Sequence, residues 1–285
     1  MTERIRMLLH GDGSEVSSLA LKLGMQIAKA MANAVDILDT ARSPERKARS
    51  SKDIEGIAAQ LRETDIAVTV YRRPSFMGER LLRQADATDY DLIVVGSRGR
   101  RGIKRLLTGS RACSILGAAT TSVLVVKGPE RREIDDILIC SAAGPASEET
   151  VRFAALLAHA LEASVTLLHV MSQVALQEDA EGADLEAGAE ELMERQAREG
   201  IHLEKMLALL RDEGLEAQAV VRHGLVVDEI MREAKNGHFD MLIVGSHTVP
   251  DIRGLLSSDL ARQIMLGANR PVLIVHQDQD SLPAA

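Results

Sequence analysis

A glycine-rich stretch in the first half of the chain has the residue types of a phosphate-binding loop. Gly96, Gly99 and Gly109 are separated by two and nine residues, and Ser110 follows the last glycine directly. Glycine permits a positive φ and lets a ligand approach without meeting a Cβ, so that backbone N–H groups can line an anion site. A helix opening at Arg111 would add its own N-terminal N–H groups and the Ser110 hydroxyl. The pattern predicts phosphate binding; the alternative is a mobile surface loop with a helix cap at Ser110.

Positive charge is concentrated in the same stretch. Residues 98–111 carry six basic side chains and no acidic one, a net charge of +6. Residues 1–132 have 23 Lys and Arg against 15 Asp and Glu, a net of +8, whereas residues 133–285 have 11 against 27, a net of −16. We therefore expect the first half to bind an anionic ligand and the two halves to attract each other. The basic residues of the stretch are Arg98, Arg100, Arg101, Lys104, Arg105 and Arg111.

An acidic residue follows the first apolar run of the chain. Asp12 stands between Gly11 and Gly13, just beyond the run that ends at Leu9. A carboxylate at the end of a strand can accept hydrogen bonds from ribose hydroxyls. It can equally be a turn residue or the N-cap of a helix that starts near Val16. The residues alone leave these roles open.

The chain contains two long copies of one unit. Asp91–Ser97 recurs as Asp240–Ser246, at an offset of 149 residues. The register continues without a gap to the last apolar run of each copy, Val123–Val126 and Val272–Val275. A tandem duplication of this length predicts two domains rather than a solenoid.

The two copies differ in length. Val35–Leu38 matches Val165–Leu168 at an offset of 130, so the second copy holds 19 more residues between these landmarks. We place the extra residues between Gln177 and Gly200. The predicted domains are residues 1–127 and 137–285, joined by a linker at 128–136.

Short β-branched apolar runs alternate with longer helical patterns in each copy. Leu19, Leu23 and Ile27 recur every four residues, the spacing of one helix face. The apolar runs suit strands buried on both faces of a parallel sheet. The alternation predicts an α/β protein with two tandem doubly wound, five-stranded, Rossmann-like domains. Because such sheets bind ligands beyond the carboxyl ends of their strands, we expect the chemistry after Leu9 and Val95. The strands predicted in the first copy are Ile5–Leu9, Val35–Leu38, Ala67–Tyr71, Leu92–Val95 and Val123–Val126.

Composition excludes several classes of protein. Apolar residues make up 46% and charged residues 27% of 285, as in a globular chain, and no apolar run approaches the roughly 20 residues of a membrane span. Two Tyr, three Phe, no Trp and a net charge of −8 disfavour a nucleic acid partner. Two cysteines and the absence of an apolar leader predict a cytoplasmic protein. Four histidines lack metal-ligand spacing and are expected in surface or loop positions: His223, His238, His247 and His276.

The spacing Gly96-x2-Gly99-x9-Gly109-Ser110 resembles the G-2x-G-9x-G-(S/T) pattern of ATP-binding universal stress proteins. Residues 11–15 resemble the Asp-Gly-Ser opening of that family, and residues 167–170 are also similar to it. The resemblance covers nearly the whole chain, as two tandem copies. It implies that Val123–Val126 and Val272–Val275 pair within the chain about a pseudo-twofold axis, as the last strands of single-unit members pair between subunits.

The resemblance implies a five-stranded α/β fold with ATP between the first-strand loop and the glycine loop. It implies that the glycines and Ser110 serve the phosphates, that Asp12 lies against adenosine, and that the main chain near Thr40 faces adenine. Asp39-Thr40 replaces the usual His-Val of the family, which would alter the adenine pocket. With the basic residues of the loop, the expected cofactor-binding residues are Asp12, Thr40, Gly96, Arg98, Gly99, Gly109, Ser110 and Arg111.

The second copy has lost most of this pattern. Ala142 stands at the Asp12 position, and Thr248, Ser258 and Asp259 replace the second glycine, the third glycine and the serine. Residues 247–260 carry a net charge of −1. A carboxylate at the phosphate position repels the ligand by about 4 kcal/mol per charge pair at about 4 Å. We expect one ATP per chain, bound by residues 1–127.

No arrangement of a nucleophile and a base is visible, so we expect a nucleotide-binding stress-response regulator rather than an enzyme. One alternative is a slow ATP hydrolase that uses Mg²⁺ near Asp12. The other is a nucleotide-free interaction module whose basic loop meets an acidic protein. Beyond the adenine nucleotide, the expected partners are the second domain within the chain, a second chain in a homodimer, and a protein partner; a membrane is not expected.

Overall fold

A computed structural model describes residues 4–72, 90–97, 121–127, 133–142, 146–171, 187–245 and 257–276. The chain divides into two compact units, and each is described by itself. Unit 1 comprises residues 1–132 together with 269–276, and unit 2 comprises residues 133–268 and 277–285. Both have the α/β architecture of alternating strands and helices that the sequence predicts.

Unit 1 contains five parallel strands in the order β3-β2-β1-β4-β5. In chain order its described elements are β1 Ile5–Gly11, α1 Glu15–Met31, β2 Ala32–Asp39, α2 Pro44–Arg62, β3 Ala67–Arg72, β4 Leu92–Gly96 and β5 Ser122–Val126. From β1 the sheet continues through β2 to β3 on one side, and from β4 it continues to β5 on the other side. The reversal lies between β1 and β4, where doubly wound sheets form their ligand crevice.

Unit 2 repeats this order as β8-β7-β6-β9. Its described elements are β6 Asp136–Ser141, α3 Ala146–Leu161, β7 Ser164–Met171, α4 Ala189–Glu194, α5 Arg198–Asp212, β8 Ala217–His223, α6 Val226–Asn236, β9 Met241–Gly245 and α7 Ser257–Gly267. The strand that ends the second sequence repeat, β10 Val272–Val275, clusters with unit 1.

The predicted pairing of the two last apolar runs is confirmed. Strand β10 lies antiparallel to β5, with Val272 opposite Val125 and Ile274 opposite Val123. The backbone N–H of His276 donates to the Ser122 hydroxyl at 3.2 Å. Each repeat therefore contributes five strands, and β10 is the antiparallel neighbour of unit 1's parallel set.

The helices begin where the sequence supplies caps. Ser14 and Ser43 are the N-caps of α1 and α2; each hydroxyl accepts the backbone N–H three residues on, and Pro44 fills the first turn of α2. Helix α1 buries Val16, Ala20, Leu21, Ile27 and Met31 against the sheet. These caps fix where each chain segment leaves the carboxyl edge of the sheet.

The expectation that all five strands of the first copy are buried on both faces is wrong for β3. None of its six residues is buried, whereas all five residues of β5 are. Strand β3 is the outermost strand of unit 1 and has a neighbour on one side only. An edge strand can keep β-branched residues while remaining partly open to water.

Two charged residues that interrupt the apolar runs neutralise each other inside unit 1. The guanidinium of Arg6 lies 2.9 Å from the carboxylate of Asp36, which is 3% exposed and also accepts the Tyr90 hydroxyl at 2.6 Å. The hydrogen bond to Asp36 raises the pKa of Arg6. A buried carboxylate needs such partners, so this cluster supports the fold rather than the ligand site.

None of the helices in the described part of the chain combines the length and apolar character that a bilayer crossing requires.

Candidate functional site

Four chain segments meet the carboxyl edge of unit 1 on either side of the strand-order reversal. They are the loop after β1, the residues that follow β2, the end of β4 and the residue after β5. Asp12 and Thr40, two of the predicted cofactor-binding residues, lie in the first two segments, and Gly96 ends β4. Arg98, Gly99, Gly109, Ser110 and Arg111 lie outside the described residues. The described part of the predicted site therefore comprises the residues expected to contact the nucleoside and the entrance to the glycine loop.

Asp12 is a turn residue, and the cap of α1 is Ser14. One carboxylate oxygen of Asp12 accepts the backbone N–H of Ser14 at 2.8 Å. The Ser14 hydroxyl accepts the backbone N–H of Ser17 at 3.3 Å, and the Ser17 hydroxyl in turn accepts the backbone N–H of Asp12 at 2.9 Å. This ring of hydrogen bonds fixes the loop and holds the carboxylate at the end of β1.

The carboxylate of Asp12 is held in its ionised form. Burial acts to raise its pKa, but hydrogen bonds from Ser14, together with the charge of Arg46, outweigh it and lower the pKa below its usual value. The second carboxylate oxygen lies 3.5 Å from a guanidinium nitrogen of Arg46. At neutral pH this side chain is therefore an acceptor of hydrogen bonds, as contact with hydroxyl groups requires.

The close approach of α2 to the loop after β1 requires a glycine at position 13. Its φ is +70°, and a Cβ there would lie 2.1 Å from the carbonyl oxygen of Arg46. No other residue type fits this backbone without moving the first turn of α2. Helix α2 thus sets the position of the loop that carries Asp12.

The residues after β2 form a buried polar cluster with β1. The imidazole Nε2 of His10 lies 2.8 Å from the hydroxyl of Thr40, whose backbone N–H donates to the carbonyl of Gly11 at 2.8 Å. The carboxylate of Asp39 accepts the backbone N–H of Ala41 at 3.0 Å and the hydroxyl of Ser50 at 2.8 Å. The backbone N–H groups of residues 40 and 41 are therefore both engaged within the protein.

His10 is a buried neutral imidazole that is absent from the sequence-based predictions. Burial lowers its pKa to about 4, although the nearby charges of Asp12 and Asp39 act in the opposite direction. Its Nδ1 is buried and has no hydrogen-bond partner within the described ranges. The only sequence signal is its position, directly before the Gly11-Asp12 pair at the end of a strand.

Gly96 has a packing reason to be glycine. A Cβ at this position would lie 2.6 Å from the carbonyl oxygen of Val16 in the first turn of α1. The next residue, Ser97, donates its backbone N–H to the carbonyl of Val126 at 2.9 Å. The Ser97 hydroxyl is buried without a hydrogen-bond partner within the described ranges. It stands where the chain enters the glycine loop.

Lys127 places a cation beside the same entrance. It follows β5, whose last residue Val126 is the register partner of Gly96. The side chain is largely buried, and burial lowers its pKa to about 8. Lys127 is not among the predicted site residues, although a lysine directly after the strand beside the glycine loop is a recognisable signal.

Unit 2 has the same strand register as unit 1 but carries different side chains at the corresponding positions of its carboxyl edge. The pairing of Gly11 with Asp39 in unit 1 corresponds to the pairing of Ser141 with His169 in unit 2. Ala142 follows β6 at the Asp12 position, so this edge has no carboxylate there. Thr248 and the side chains of Ser258 and Asp259 lie outside the described part.

A model of the universal stress protein family matches residues 6–127 and again residues 133–276. The chain belongs to the universal stress protein family. The two matches cover nearly the whole chain, so it is a tandem universal stress protein. No curated protein matches the chain.

Solved structures with the same fold include tandem-length chains of this family. A universal stress protein from Archaeoglobus fulgidus matches 98% of this chain and 99% of its own length, with a TM-score of 0.60 and 16% identity. A Pseudomonas aeruginosa chain described as a universal stress protein matches 95% of this chain and 93% of its own, with a TM-score of 0.66 and 16% identity. A universal stress protein solved in complex with cAMP matches 52% of this chain and 100% of its own, with a TM-score of 0.41 and 20% identity.

The described residues contain no group of three His, Cys, Asp or Glu side chains that could hold a metal ion. In this universal stress protein the carboxyl edge of unit 1 offers the ionised carboxylate of Asp12, engaged backbone N–H groups and a lysine at the entrance of the glycine loop. Such a set can bind hydroxyl groups on one side and anionic groups on the other.

Proposed function

We propose that this universal stress protein binds one molecule of ATP at the carboxyl edge of unit 1 and acts as a nucleotide-dependent regulator of the stress response. The observation that carries the proposal is the ionised, pre-positioned carboxylate of Asp12 at the strand-order reversal, directly across from the entrance to the glycine loop. A ligand that spans the two loops needs hydroxyl groups at one end and negative charge at the other, and a nucleoside triphosphate has both.

The nucleoside would lie on the β1–β2 side. Asp12 would accept hydrogen bonds from the ribose hydroxyls through the oxygen that now faces Arg46. Because the backbone N–H groups of Thr40 and Ala41 are already engaged, this stretch would meet the base through carbonyl oxygens. Carbonyls accept from an exocyclic amino group, which adenine carries.

The triphosphate would lie on the β4–β5 side. The six basic residues from Arg98 to Arg111 supply charge, and Lys127 adds one more cation at the entrance. The backbone of Gly99 and Gly109 and the hydroxyl of Ser110 would supply hydrogen-bond donors, as anion sites at helix N-termini do. Gly96 would act mainly by letting α1 pack closely.

Unit 2 would hold no nucleotide. Its edge has Ala142 in place of Asp12, and Asp259 stands where Ser110 would meet a phosphate. A carboxylate near the start of a helix fills an anion site with its own charge. We therefore propose a stoichiometry of one ATP per chain.

Titration calorimetry of the full chain, stripped of nucleotide, tests the proposal. We expect one ATP per chain, and we expect Asp12→Ala to weaken binding by about tenfold, or about 1.4 kcal/mol. Asp65→Ala is the matched control, because Asp65 is exposed in the turn before β3, at the opposite edge of the sheet. Two equivalent sites per chain would contradict the proposed stoichiometry.

Chromatography of the nucleotide released by acid from freshly purified protein separates the remaining functions. Bound ATP supports the regulator. Bound ADP together with measurable Mg²⁺-dependent turnover supports the slow hydrolase. An empty protein with no affinity for ATP supports the nucleotide-free interaction module and refutes the proposal.

A further inference from the structure

Three histidines of unit 2 stand where the segment from Ala187 to Asp212 meets the carboxyl edge of the sheet. His169 lies near the end of β7, His223 ends β8, and His202 lies on α5. This segment contains α4 and α5, and its first part, which includes α4, lies within the stretch where the sequence places the extra residues of the second repeat. Helix α5 packs against both α4 and α3.

His169 and His202 form a pair around one serine. Their ring centroids lie 5.9 Å apart with the rings tilted by 55°. The Nδ1 of His169 lies 3.1 Å from the carbonyl oxygen of Ser141, and the Nε2 of His202 lies 2.7 Å from the hydroxyl of the same residue. The pair therefore joins α5 to the ends of β6 and β7.

His223 holds the other end of the segment. Its Nε2 lies 3.0 Å from the carbonyl oxygen of Ala187, just before α4. Its Nδ1 is buried and has no hydrogen-bond partner in the part of the chain that the structure describes. The expectation that His223 is an ordinary surface or loop histidine is wrong, because it is partly buried at a strand end, whereas His238 is exposed.

The charged groups around the pair offset little of the cost of protonation. Glu148 on α3 and Glu199 on α5 favour the charged form, but Glu148 already forms an ion pair with Lys205 of α5. Burial, together with the charges of His169 and Lys205, lowers the pKa of His202 to about 4. Burial also lowers the pKa of His169, against a hydrogen bond to Ser141 and the charge of Glu199, while His223 adds to the lowering.

We propose that the His169–His202 pair is an acid-sensitive latch that releases α4 and α5 from the carboxyl edge of unit 2 when the imidazoles become protonated. Two imidazolium groups 5.9 Å apart repel each other. In addition, burial disfavours the charged form of each ring. In unit 1, Asp39 stands at the position of His169 and accepts the Ser50 hydroxyl of α2, so that this link contains no imidazole. The proposal does not depend on nucleotide binding.

The direction of the pH dependence follows from the lowered pKa values. A histidine whose pKa is lower in the folded than in the released state stabilises the closed form above about pH 6.5 and loses that contribution as the pH falls toward the folded value. Each such histidine raises the equilibrium constant for release by up to about tenfold per pH unit in this window. The pair should therefore raise it by up to about a hundredfold per unit. Unit 1 has the single buried histidine His10 at its carboxyl edge, which would raise an equilibrium constant for release by at most about tenfold per pH unit.

Hydrogen exchange of the full chain, followed by mass spectrometry at about pH 7.5, 6.5 and 5.5 and corrected for the intrinsic exchange rate, tests the latch. We expect peptides of α4 and α5 to lose protection at least about tenfold more than peptides of α2. His202→Gln keeps a partner for Ser141 but does not titrate, so it should remove most of the acid response. His238→Asn is the control, because His238 is exposed and has a φ of +58° that asparagine tolerates. It should leave the response unchanged.

Two results would overturn the proposal. One is equal loss of protection in α2 and α5 on acidification, and the other is an acid response that His202→Gln leaves intact. Should His202→Gln fail to fold, NMR titration of the wild-type imidazoles decides the matter. An imidazole of His202 or His169 that titrates near the ordinary value of about 6.5 without a change in α5 exchange refutes the latch, whereas titration well below it that coincides with α5 release supports it.

Discussion

The carboxyl edges of the two units share one strand register but carry side chains of different chemical character. Asp12 in unit 1 corresponds to Ala142 in unit 2, and Asp39 corresponds to His169. In unit 1 the edge presents the ionised carboxylate of Asp12. In unit 2 it presents imidazoles that hold a helix segment against the strands. The buried strands keep the fold in both copies, so side chains at the edge can diverge without loss of the core.

The helices that follow the second strand of each unit show the same division. Ile54 and Leu61 on α2 are buried, and so are Leu203 and Leu210 on α5, which stand 149 residues later. The polar position directly before Ile54 and Leu203 differs, since Asp53 of α2 accepts the Ser18 hydroxyl whereas His202 of α5 contacts Ser141. The apolar stripe is constrained by burial, and the polar residue beside it determines what the edge can bind or sense.

Reversal of charge in the glycine loop should have the largest effect on the binding chemistry that distinguishes unit 1 from unit 2. We expect the triple variant Arg98→Glu, Lys104→Glu and Arg105→Glu to weaken ATP binding by more than about 1,000-fold, or about 4 kcal/mol, because each reversal replaces an attraction with a repulsion. Titration calorimetry measures the loss, and circular dichroism should show an unchanged fold. The control carries the same change of net charge on exposed helix positions: Lys22→Glu, Lys29→Glu and Arg62→Glu. Equal loss in both variants would mean that overall charge, and not the loop, determines affinity.

Substitution of Gly96 separates packing from phosphate binding. We expect Gly96→Ala to lower the free energy of unfolding by about 2 kcal/mol without nucleotide, because the new Cβ meets the Val16 carbonyl. Gly56→Ala is the control: nothing lies within 4 Å of its Cβ position on α2, so it should raise stability by up to about 1 kcal/mol. Denaturant unfolding measures both. Unchanged stability in Gly96→Ala together with weaker ATP binding would assign Gly96 to the phosphates instead.

The smallest effect should come from Arg46. Its side chain is 46% exposed and lies 3.5 Å from the Asp12 carboxylate, so Arg46→Ala should cost no more than about 0.5 kcal/mol of stability. We expect the ATP dissociation constant to change by less than about threefold, compared by calorimetry with Arg49→Ala on the same exposed face of α2. A change of about tenfold or more would make Arg46 a ligand contact in its own right.

Local patterns were sufficient to predict the strands of the first copy. The apolar run Leu92–Val95 predicts β4 to within one residue, and Ile5–Leu9 predicts β1 with two residues missing at its end. The two missing residues, His10 and Gly11, belong to the candidate site. The apolar pattern did not include them because the end of a strand before a loop loses that pattern. Burial of β3 was predicted incorrectly, since the pattern of one strand does not reveal how many neighbours it has.

The polar contacts at the edges were not predictable in the same way. His10 contacts Thr40 across 30 residues, Asp12 faces Arg46 across 34, and Ser141 meets His202 across 61. No short-range pattern encodes such pairs. The sequence could identify Asp12 as a candidate for hydroxyl contact, but only the placement of α2 and the Ser14 cap explain why its carboxylate stays ionised.

By itself the sequence determined the duplication, the α/β class, the order of strands and helices along the chain, and the asymmetry of charge between the copies, because these follow from periodicity and residue counts along the chain. Only the tertiary structure decided which side chains meet at each edge: that Gly13 and Gly96 are needed for close helix approach, that His10 is buried and neutral, and that three histidines fasten one segment of unit 2. Packing brings together residues far apart in the chain, and their burial and mutual distances then set their charge states.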